Sequence, residues 1–428
     1  MKAFVRPMPL LALACALLVF LLPAPVPAEG TEPVDYAVSI QPDPSSDTLK
    51  TQVSIGNFID GDTTHFLASS ADFPDGGYFS GRFLAVNTPE CTGKIEEYGK
   101  KAAAFTKERL ENAEKILAES DDGHWNRDSN GTRYLVWVWY LPKGETSYRC
   151  LNVELLQNGL AKPHSAGQTR YGDVCTAAVA QARALGLNLW SGQKDPDYWY
   201  GNALEVTLRE LRLHPGEYDG KKVACSGVIT MNSNNCVYME AYDPETGLYY
   251  GLPVYYGYNL SGGGMEILHV GNEVRVVGTL QYYEAGEAWQ ISGISYRMMK
   301  PDDPGNIQKI SEGNEPACTP VSIRELTHGS VPVSTDDMQG EAARGEIALA
   351  CSVSLDNVTV AASYGYDGGT TLICAAEGDS ITVRTSDEGP TARELTGKTV
   401  SVRGVVFRSE GEYWIKAFTP DGIAAREP

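Results

Sequence analysis

Residues 82–90 read RFLAVNTPE and join a strand to a segment with the composition of a helix start. The aromatic and aliphatic residues at 83–86 favour a strand. Threonine as a cap, proline in the first turn and glutamate near the positive end of the helix dipole are each common where a helix begins. This stretch therefore predicts a domain in which strands are interrupted by inserted helices.

The segments on either side extend the same pattern. β-Branched and aromatic residues predict four strands, at 53–58, 63–69, 78–86 and 134–140. Apolar residues at helical spacing predict three helices, at 98–117, 151–158 and 171–185, and a glycine follows each of the last two. We therefore expect an α+β, mainly β domain at 51–200.

The second half of the chain contains an internal repeat. Residues 206–211 (VTLREL) recur as 321–326 (VSIREL), and the pair 274–278 (VRVVG) and 286–289 (GEAW) recurs as 400–404 (VSVRG) and 411–414 (GEYW). Two matched ends at a similar separation indicate two copies of one module. Short alternating strands and glycine-marked turns favour small closed β-barrels of the oligonucleotide-binding (OB) type, at 203–300 and 318–425, with a linker at 301–317.

The N-terminal segment has the features of a secretory signal peptide at 1–28. Lys2 and Arg6 precede an apolar run at 10–22, and the segment ends in small residues at Ala28. That run is too short to span a bilayer, and no later stretch is apolar enough to do so. Residues 29–50 are rich in Pro, Asp and Ser, so we expect an unstructured leader there. The mature protein is predicted to be secreted or to lie in the cell envelope.

The net charge and the number of cysteines bear on the kind of substrate binding and on the presence of disulfides. A formal net charge of −20 argues against a broad electrostatic grip on nucleic acid, although residues 51–200 are close to charge balance. Eight cysteines remain after the signal peptide, and an even number in an exported chain predicts disulfides. Position alone suggests the pairs Cys225–Cys236 and Cys351–Cys374. The alternative is that several are free, buried thiols.

Oxygen-bearing and cationic side chains are concentrated in and before residues 82–90. Phosphodiester hydrolysis needs a hard cation on the phosphoryl oxygen, positive charge for the transition state and a base for the attacking water. Asp62 and Asn87 offer oxygen ligands suited to Ca²⁺, Arg82 can fork onto phosphate, and Glu90 can orient or deprotonate water.

Each fragment also has a purely structural reading. The Asp-Gly pair within 60–63 is a common hairpin turn, and the Thr-Pro-Glu of 88–90 is a common helix start. Their conjunction in one strand–turn–strand unit, with an arginine facing the same end, favours a catalytic site over either structural reading.

Five segments in order resemble the staphylococcal nuclease (thermonuclease) family over about residues 50–192. They are 60–63 (DGDT), 82–90 (RFLAVNTPE), 98–107 (YGKKAAAFTK), 157–162 (QNGLAK) and 182–190 (ARALGLNLW). The resemblance implies an OB-type five-stranded barrel with three helices that cuts DNA and RNA with Ca²⁺. It also implies Asp62 as a metal ligand, the Thr88 carbonyl as another, Arg82 as a catalytic phosphate-binding arginine and Glu90 as the carboxylate that activates water.

Two departures from the family pattern bear on the site. Asn87 stands where the family usually has Asp, so the site loses a negative charge and is expected to hold calcium less tightly. The second catalytic arginine of the family directly follows a glycine, whereas Thr132 separates Gly131 from Arg133 here. We align Arg133 with that arginine because a strand follows it, and Arg127 is the fallback.

The remaining aromatic and imidazole groups leave other functions open. His65, His124 and His164 lack metal-ligand spacing. The first repeat is dense in rings that could stack on bases or simply fill the barrel and its rim: Tyr249, Tyr250, Tyr255, Tyr256, Tyr258, Tyr282, Tyr283 and Trp289. The repeats could equally serve as spacers, surface-attachment modules or protein-binding modules. The alternative function for the whole chain is a catalytically degenerate, exported OB-barrel protein that binds nucleic acid, carbohydrate or a protein partner.

Overall fold

The computed structural model describes residues 32–69, 73–233, 235–257, 260–333, 340–366, 368–386, 395–419 and 421–425. The predicted signal peptide, 1–28, lies outside the described residues. Among the helices of the described ranges, none combines the length and apolar character needed to cross a membrane.

Five strands at the N-terminal end close into the first barrel, in the order β1 (Lys50–Phe58), β2 (Thr63–Ala68), β3 (Tyr78–Phe83), β6 (Tyr134–Pro142) and β5 (Ala113–Glu119). β3 and β6 are parallel, and the other pairs are antiparallel. The strands of this part are β1 (Lys50–Phe58), β2 (Thr63–Ala68), β3 (Tyr78–Phe83), β4 (Val86–Asn87), β5 (Ala113–Glu119), β6 (Tyr134–Pro142), β7 (Arg149–Cys150) and β8 (Lys162–Pro163). Its helices are α1 (Gly99–Glu111), α2 (Leu151–Gln157) and α3 (Gly172–Ala184), with 3₁₀ turns at Ala166–Gln168 and Asn188–Trp190. The predicted mainly β barrel with three helices is confirmed.

Two predicted boundaries are wrong. The strand expected at 78–86 ends at Phe83, and a turn at 84–85 separates it from the short strand β4. The helix expected at 98–117 ends at Glu111, and Ala113–Glu119 is strand β5. Leu117 lies opposite Gln52 of β1 on one side and Trp139 of β6 on the other, so β5 is needed to close the barrel. Pairing on both sides outweighs the helical spacing of the apolar residues.

The second and third barrels repeat the strand order of the first. The second barrel closes in the order β10 (Lys222–Ser233), β11 (Cys236–Asp243), β12 (Leu248–Tyr255), β14 (Ala288–Ser292) and β13 (Glu273–Tyr283), and β12 is parallel to β14. The third closes in the order β19 (Ser352–Tyr366), β20 (Gly369–Ala376), β21 (Asp379–Thr385), β23 (Glu412–Ala417) and β22 (Thr399–Ser409), and β21 is parallel to β23. Each barrel has its own apolar core. The prediction of two small OB-type barrels after the first domain is confirmed.

The second barrel contains strands β9 (Leu204–Glu205), β10 (Lys222–Ser233), β11 (Cys236–Asp243), β12 (Leu248–Tyr255), β13 (Glu273–Tyr283), β14 (Ala288–Ser292) and β15 (Gln308–Ser311), helices α4 (Leu208–Leu213), α5 (Pro215–Tyr218) and α6 (Gly263–Ile267), and a 3₁₀ turn at Glu284–Gly286. The third contains β16 (Thr319–Pro320), β17 (Ser330–Pro332), β18 (Glu341–Ala343), β19 (Ser352–Tyr366), β20 (Gly369–Ala376), β21 (Asp379–Thr385), β22 (Thr399–Ser409), β23 (Glu412–Ala417) and β24 (Ile423–Ala425), with helices α7 (Ile323–His328) and α8 (Arg344–Ala348).

The repeated VTLREL and VSIREL sequences have a clear structural role. Thr207 caps α4 and Ser322 caps α7, and each forms a capping box with the glutamate three residues later, Glu210 or Glu325. A capping box satisfies two otherwise unpaired backbone donors at a helix start. This part of the sequence repeat therefore corresponds to a helix start that precedes each of the two barrels.

Two segments predicted to be irregular are packed. In the expected leader, the Ala37 N–H donates to the Gln157 side chain at 3.1 Å and the Ala37 carbonyl accepts from the Cys150 N–H at 2.9 Å, so the turns at 36–49 lie against the first barrel. In the expected linker, β15 pairs with β13. Backbone hydrogen bonds to a neighbouring sheet or helix order both segments despite their polar composition.

The suggested disulfides are absent: all eight cysteines of the described ranges are free thiols. Cys236 lies opposite Ser233, eight residues along β10 from Cys225, which is roughly 26 Å of strand. Cys374 lies opposite Val360, nine residues beyond Cys351, roughly 30 Å of strand. A disulfide requires Cα atoms within about 7 Å, so neither pair can form.

Some aromatic side chains of the second barrel lie in its core, and others lie exposed where they could stack on bases. Tyr250 is fully buried and belongs to the core, whereas Tyr282 and Tyr283 are about half exposed at 48% and 49%. Tyr258 lies outside the described residues. Some of the rings fill the barrel, and others remain available at its surface.

Candidate active site

Pairing of β2 with β3 gathers the site at one end of the first barrel. Thr63 lies opposite Arg82, and the Phe83 N–H donates to the Asp62 carbonyl at 2.8 Å. The parallel pairing of β3 with β6 places Leu135 opposite Arg82, so the loop that ends in Arg133 reaches the same end. Residues distant in sequence therefore converge because of strand register.

Asp62 is the buried anchor of the site. Its side chain is 1% exposed, one carboxylate oxygen accepts from the Thr88 N–H at 2.7 Å, and the other accepts from the Thr63 hydroxyl at 3.1 Å. The preceding residue, Gly61, has to be glycine, since a Cβ there would lie 2.8 Å from the Thr88 methyl group. Asp62 and Thr88 are thus fixed to each other.

The Arg82 guanidinium lies between two of the predicted metal ligands. Its Nη1 is ion-paired with Asp62 Oδ1, and its Nη2 donates to Asn87 Oδ1 at 2.6 Å. Burial lowers the pKa of Arg82, and the negative charge of Asp60 opposes this effect. The oxygens of Asp62 and Asn87 therefore converge on one position that a cation already occupies.

Two carboxyl groups beside this position have raised pKa values. Burial raises the pKa of Asp60, against the attraction of Arg82, and Asp60 Oδ1 accepts from the Asp62 N–H at 3.0 Å. Partial desolvation raises the pKa of Glu90, and the Asp60 charge raises it further. Each of these acids therefore holds a proton more readily than an isolated carboxyl group does.

Arg133 and Arg127 have different surroundings. The Arg133 Nε donates to Asp128 Oδ2 at 2.8 Å, and the Arg133 charge acts on the pKa values of both Arg82 and Glu90. Arg127 instead stacks on the Tyr134 ring, with its guanidinium carbon 4.3 Å from the ring centre, and pairs with Asp75. This placement favours Arg133 over the fallback, although its catalytic role stays a prediction.

Asp128 is a residue that sequence reasoning missed. Its Oδ1 accepts from the backbone N–H groups of Thr132 and Arg133, at 3.1 and 3.2 Å, and its Oδ2 holds the Arg133 side chain. The sequence signal was present, since residues 128–131 (DSNG) have the composition of a turn that an aspartate side chain closes. Asp128 orients Arg133 towards the end of the barrel that carries Arg82.

The donors near the site are oxygen atoms. Across the residues that the structure describes, no three His, Cys, Asp or Glu side chains are grouped to hold a metal ion. His65 instead hydrogen-bonds Tyr78 at 2.6 Å, and His124 lies 3.5 Å from Asp122. The oxygen donors that contact the Arg82 guanidinium are the Asp62 carboxylate and the Asn87 amide, and the Asp60 carboxyl group lies beside Asp62.

Residues 81–192 match the family model described as staphylococcal nuclease homologue. The predicted nuclease-type domain in this part of the chain is confirmed, over about a quarter of the sequence. The match includes Arg82, Glu90 and Arg133 but begins after Asp60 and Asp62. Those two acids reach the site through the β2–β3 pairing described above.

Proposed function

We propose that the first barrel is a Ca²⁺-dependent phosphodiesterase that cuts DNA or RNA after export from the cytoplasm. The observation that carries the proposal is the Arg82 guanidinium shared by the oxygens of Asp62 and Asn87, with Glu90 and Arg133 within electrostatic reach. A base, two cationic groups and converging hard oxygen donors are the parts that phosphodiester hydrolysis needs.

The residues present fit calcium. Carboxylate, amide and carbonyl oxygens are the donors that Ca²⁺ prefers, and Asp62, Asn87 and the Thr88 carbonyl would hold it. When bound, the ion would polarise a phosphoryl oxygen and neutralise charge on the transition state.

Local charge also supports the need for a cation. The carboxyl groups of Asp60, Asp62, Glu90 and Asp128 outnumber the two guanidinium groups that act on them. An excess of negative charge repels a phosphodiester, and a divalent cation would offset that excess. Burial is the main cause of the raised pKa values of Asp60 and Glu90, and the Asp60 charge adds to the rise at Glu90.

Each side chain has a distinct part in the proposed reaction. Glu90 takes a proton from the attacking water while the water oxygen bonds to phosphorus. The P–O ester bond breaks, and the leaving oxygen takes a proton from solvent to depart as a hydroxyl group. The raised pKa of Glu90 lies closer to neutral pH than that of an ordinary glutamate, so the ionised carboxylate is a stronger base. Arg82 and Arg133 stabilise the negative charge that builds on the phosphoryl oxygens. Asp128 keeps Arg133 in place.

The decisive experiment is plasmid and RNA degradation by the purified mature protein, with Ca²⁺ and with excess EGTA. We expect cutting with Ca²⁺ and none with EGTA, and Glu90→Gln should lower the activity in Ca²⁺ at least about a hundredfold. Undiminished cutting in EGTA would contradict the metal assignment. A wild-type protein that retains DNA in a gel-shift assay, cuts nothing and is unaffected by Glu90→Gln would support the alternative, a binding protein without catalysis.

A further inference from the structure

The segment that follows Glu90 contacts the second barrel. Residues 91–97 connect Glu90 to helix α1 without regular secondary structure. Within the first barrel, the Glu96 N–H donates to the Glu90 carbonyl at 2.9 Å, and the Gly99 N–H donates to the Glu96 carbonyl at 3.0 Å. The Glu90 N–H also donates to the Glu96 side chain at 3.3 Å, and the Cys91 thiol lies 3.7 Å from the Ile59 carbonyl. In the part at 91–93, however, the Cys91 and Gly93 carbonyls have their partners outside the first barrel.

Two side chains of the second barrel hold that part. The Gln281 side-chain amide donates to the Cys91 carbonyl at 2.6 Å, and the Ser292 hydroxyl lies 3.0 Å from the Gly93 carbonyl. Gln281 is 9% exposed and Ser292 is fully buried. The Ser292 hydroxyl also contacts the Gln281 side-chain oxygen, so its one proton is shared between that oxygen and the Gly93 carbonyl.

The backbones of the two barrels also approach closely at this point. Gly293 has a φ of +67°, and a Cβ there would lie 2.7 Å from the Gly93 carbonyl oxygen. Beyond the segment, Lys100 and Lys107 of α1 pair with Asp219 and Glu284 of the second barrel, each at 2.9 Å. The second barrel thus contacts both the segment after Glu90 and the helix that follows it.

We propose that the second barrel completes the nuclease site, with Gln281 and Ser292 as positioning residues that fix the main chain behind Glu90. The proposal rests on the proposed function of the first barrel. Neither side chain is placed at the reacting atoms. Both act through the carbonyls of Cys91 and Gly93, one and three residues after the catalytic base.

The expected effect follows from how catalysis depends on geometry. A base is effective only when it is held within about 0.5 Å of its productive position, and a misplacement of about 1 Å can cost a hundredfold in rate. Loss of one hydrogen bond behind Glu90 loosens the segment without removing the base. We therefore expect about a tenfold fall in kcat, with KM within about twofold because no substrate contact changes.

The test uses the full chain and two kinds of measurement. Gln281→Met keeps the side-chain length and removes the donor, and Ser292→Ala is a milder change in case the first variant folds poorly. The matched control is Gln290→Met, which makes the same substitution at the position opposite Gln281 on β14. kcat and KM are measured with Ca²⁺, and hydrogen exchange is followed at the amides of 91–97 and of β6.

The expected result is a tenfold loss in kcat and faster exchange at 91–97 in Gln281→Met and Ser292→Ala, with β6 and the control unchanged. An active wild type whose variants keep the wild-type kcat, or whose 91–97 amides exchange at the wild-type rate, would overturn the positioning role and leave the proposed function standing. A wild type that cuts nothing with Ca²⁺ would refute the proposed function itself, and the positioning role with it.

Discussion

Replacing Asn87 by Asp offers the sharpest test of the metal site. In the structure, Asn87 Oδ1 accepts from the Arg82 guanidinium that also contacts Asp62, so position 87 already faces the place of a cation. The substitution would add a full negative charge in direct contact with a bound calcium ion. Calcium affinity follows the charge and rigidity of the ligands, so the calcium requirement should fall.

The size of the effect depends on two opposing contributions. At a calcium–oxygen distance of about 2.4 Å the bare attraction is large, but desolvation offsets most of it and leaves a net gain on the order of 1–2 kcal/mol. A carboxylate at 87 would also bind Arg82 more tightly before calcium enters, because a full negative charge attracts the guanidinium more strongly than the amide dipole does. We therefore expect the lower part of the range, about a fivefold to tenfold drop in half-maximal calcium.

The assay is a calcium titration of the initial rate for wild type and Asn87→Asp. Asn202→Asp, in the connection between the first and second barrels, adds the same charge to the protein and serves as the control. The saturated rate should stay within a few-fold, because Glu90, Arg82 and Arg133 are unchanged. Overlapping curves for wild type and Asn87→Asp would show that Asn87 is no ligand. Asp60, buried beside Asp62, would then be the better candidate.

The other predictions concern the charged groups around the proposed base. Glu90→Gln, Arg82→Ala and Arg133→Ala should each lower kcat at least about a hundredfold, the usual loss for a positioned base or charge stabiliser, whereas Arg127→Ala should stay within a few-fold. The reverse order for the two arginines 127 and 133 would show that the fallback alignment is correct. Asp60→Asn removes a charge that raises the pKa of Glu90, so the acidic limb of the kcat/KM profile should move to lower pH. A limb that stays in place or moves up would mean that a different group is the base.

Much of the first barrel could be predicted from local sequence, because its strands and helices carry their own patterns. Strand β6 is buried on both faces, and its continuous apolar run is rich in β-branched and aromatic residues, which favour a strand over a buried helix. The α1–β5 boundary could not be predicted, since Ala113 and Leu117 also satisfy helical spacing. Only pairing with β1 and β6 decides that Leu117 is in a strand.

Part of the candidate site could likewise be predicted from local sequence, and part depends on contacts between distant residues. Residues 82–90 could be recognised from the sequence as part of a candidate site, because the residues that would perform the chemistry are close together there. The contact of Arg82 with Asp62 depends on the β2–β3 register, and the contact of Gln281 with Cys91 spans 190 residues. Gln281 and Ser292 have no motif, because a hydrogen bond to a carbonyl oxygen requires only a donor at the right place. Such contacts become visible only when the barrels are seen packed together.

The acidic second half of the chain does more than repel a negatively charged substrate. Asp219 and Glu284 pair with lysines of α1, so part of that negative charge is matched where the barrels meet. Exposed ion pairs of this kind add little stability and weaken with salt. The buried hydrogen bonds of Gln281 and Ser292 are uncharged and are screened far less. Binding of a polyanion falls steeply as salt rises, whereas the hold on the segment behind Glu90 should not. In the proposed enzyme, substrate affinity would therefore depend on ionic strength, whereas the placement of the base would depend on neutral contacts between two barrels.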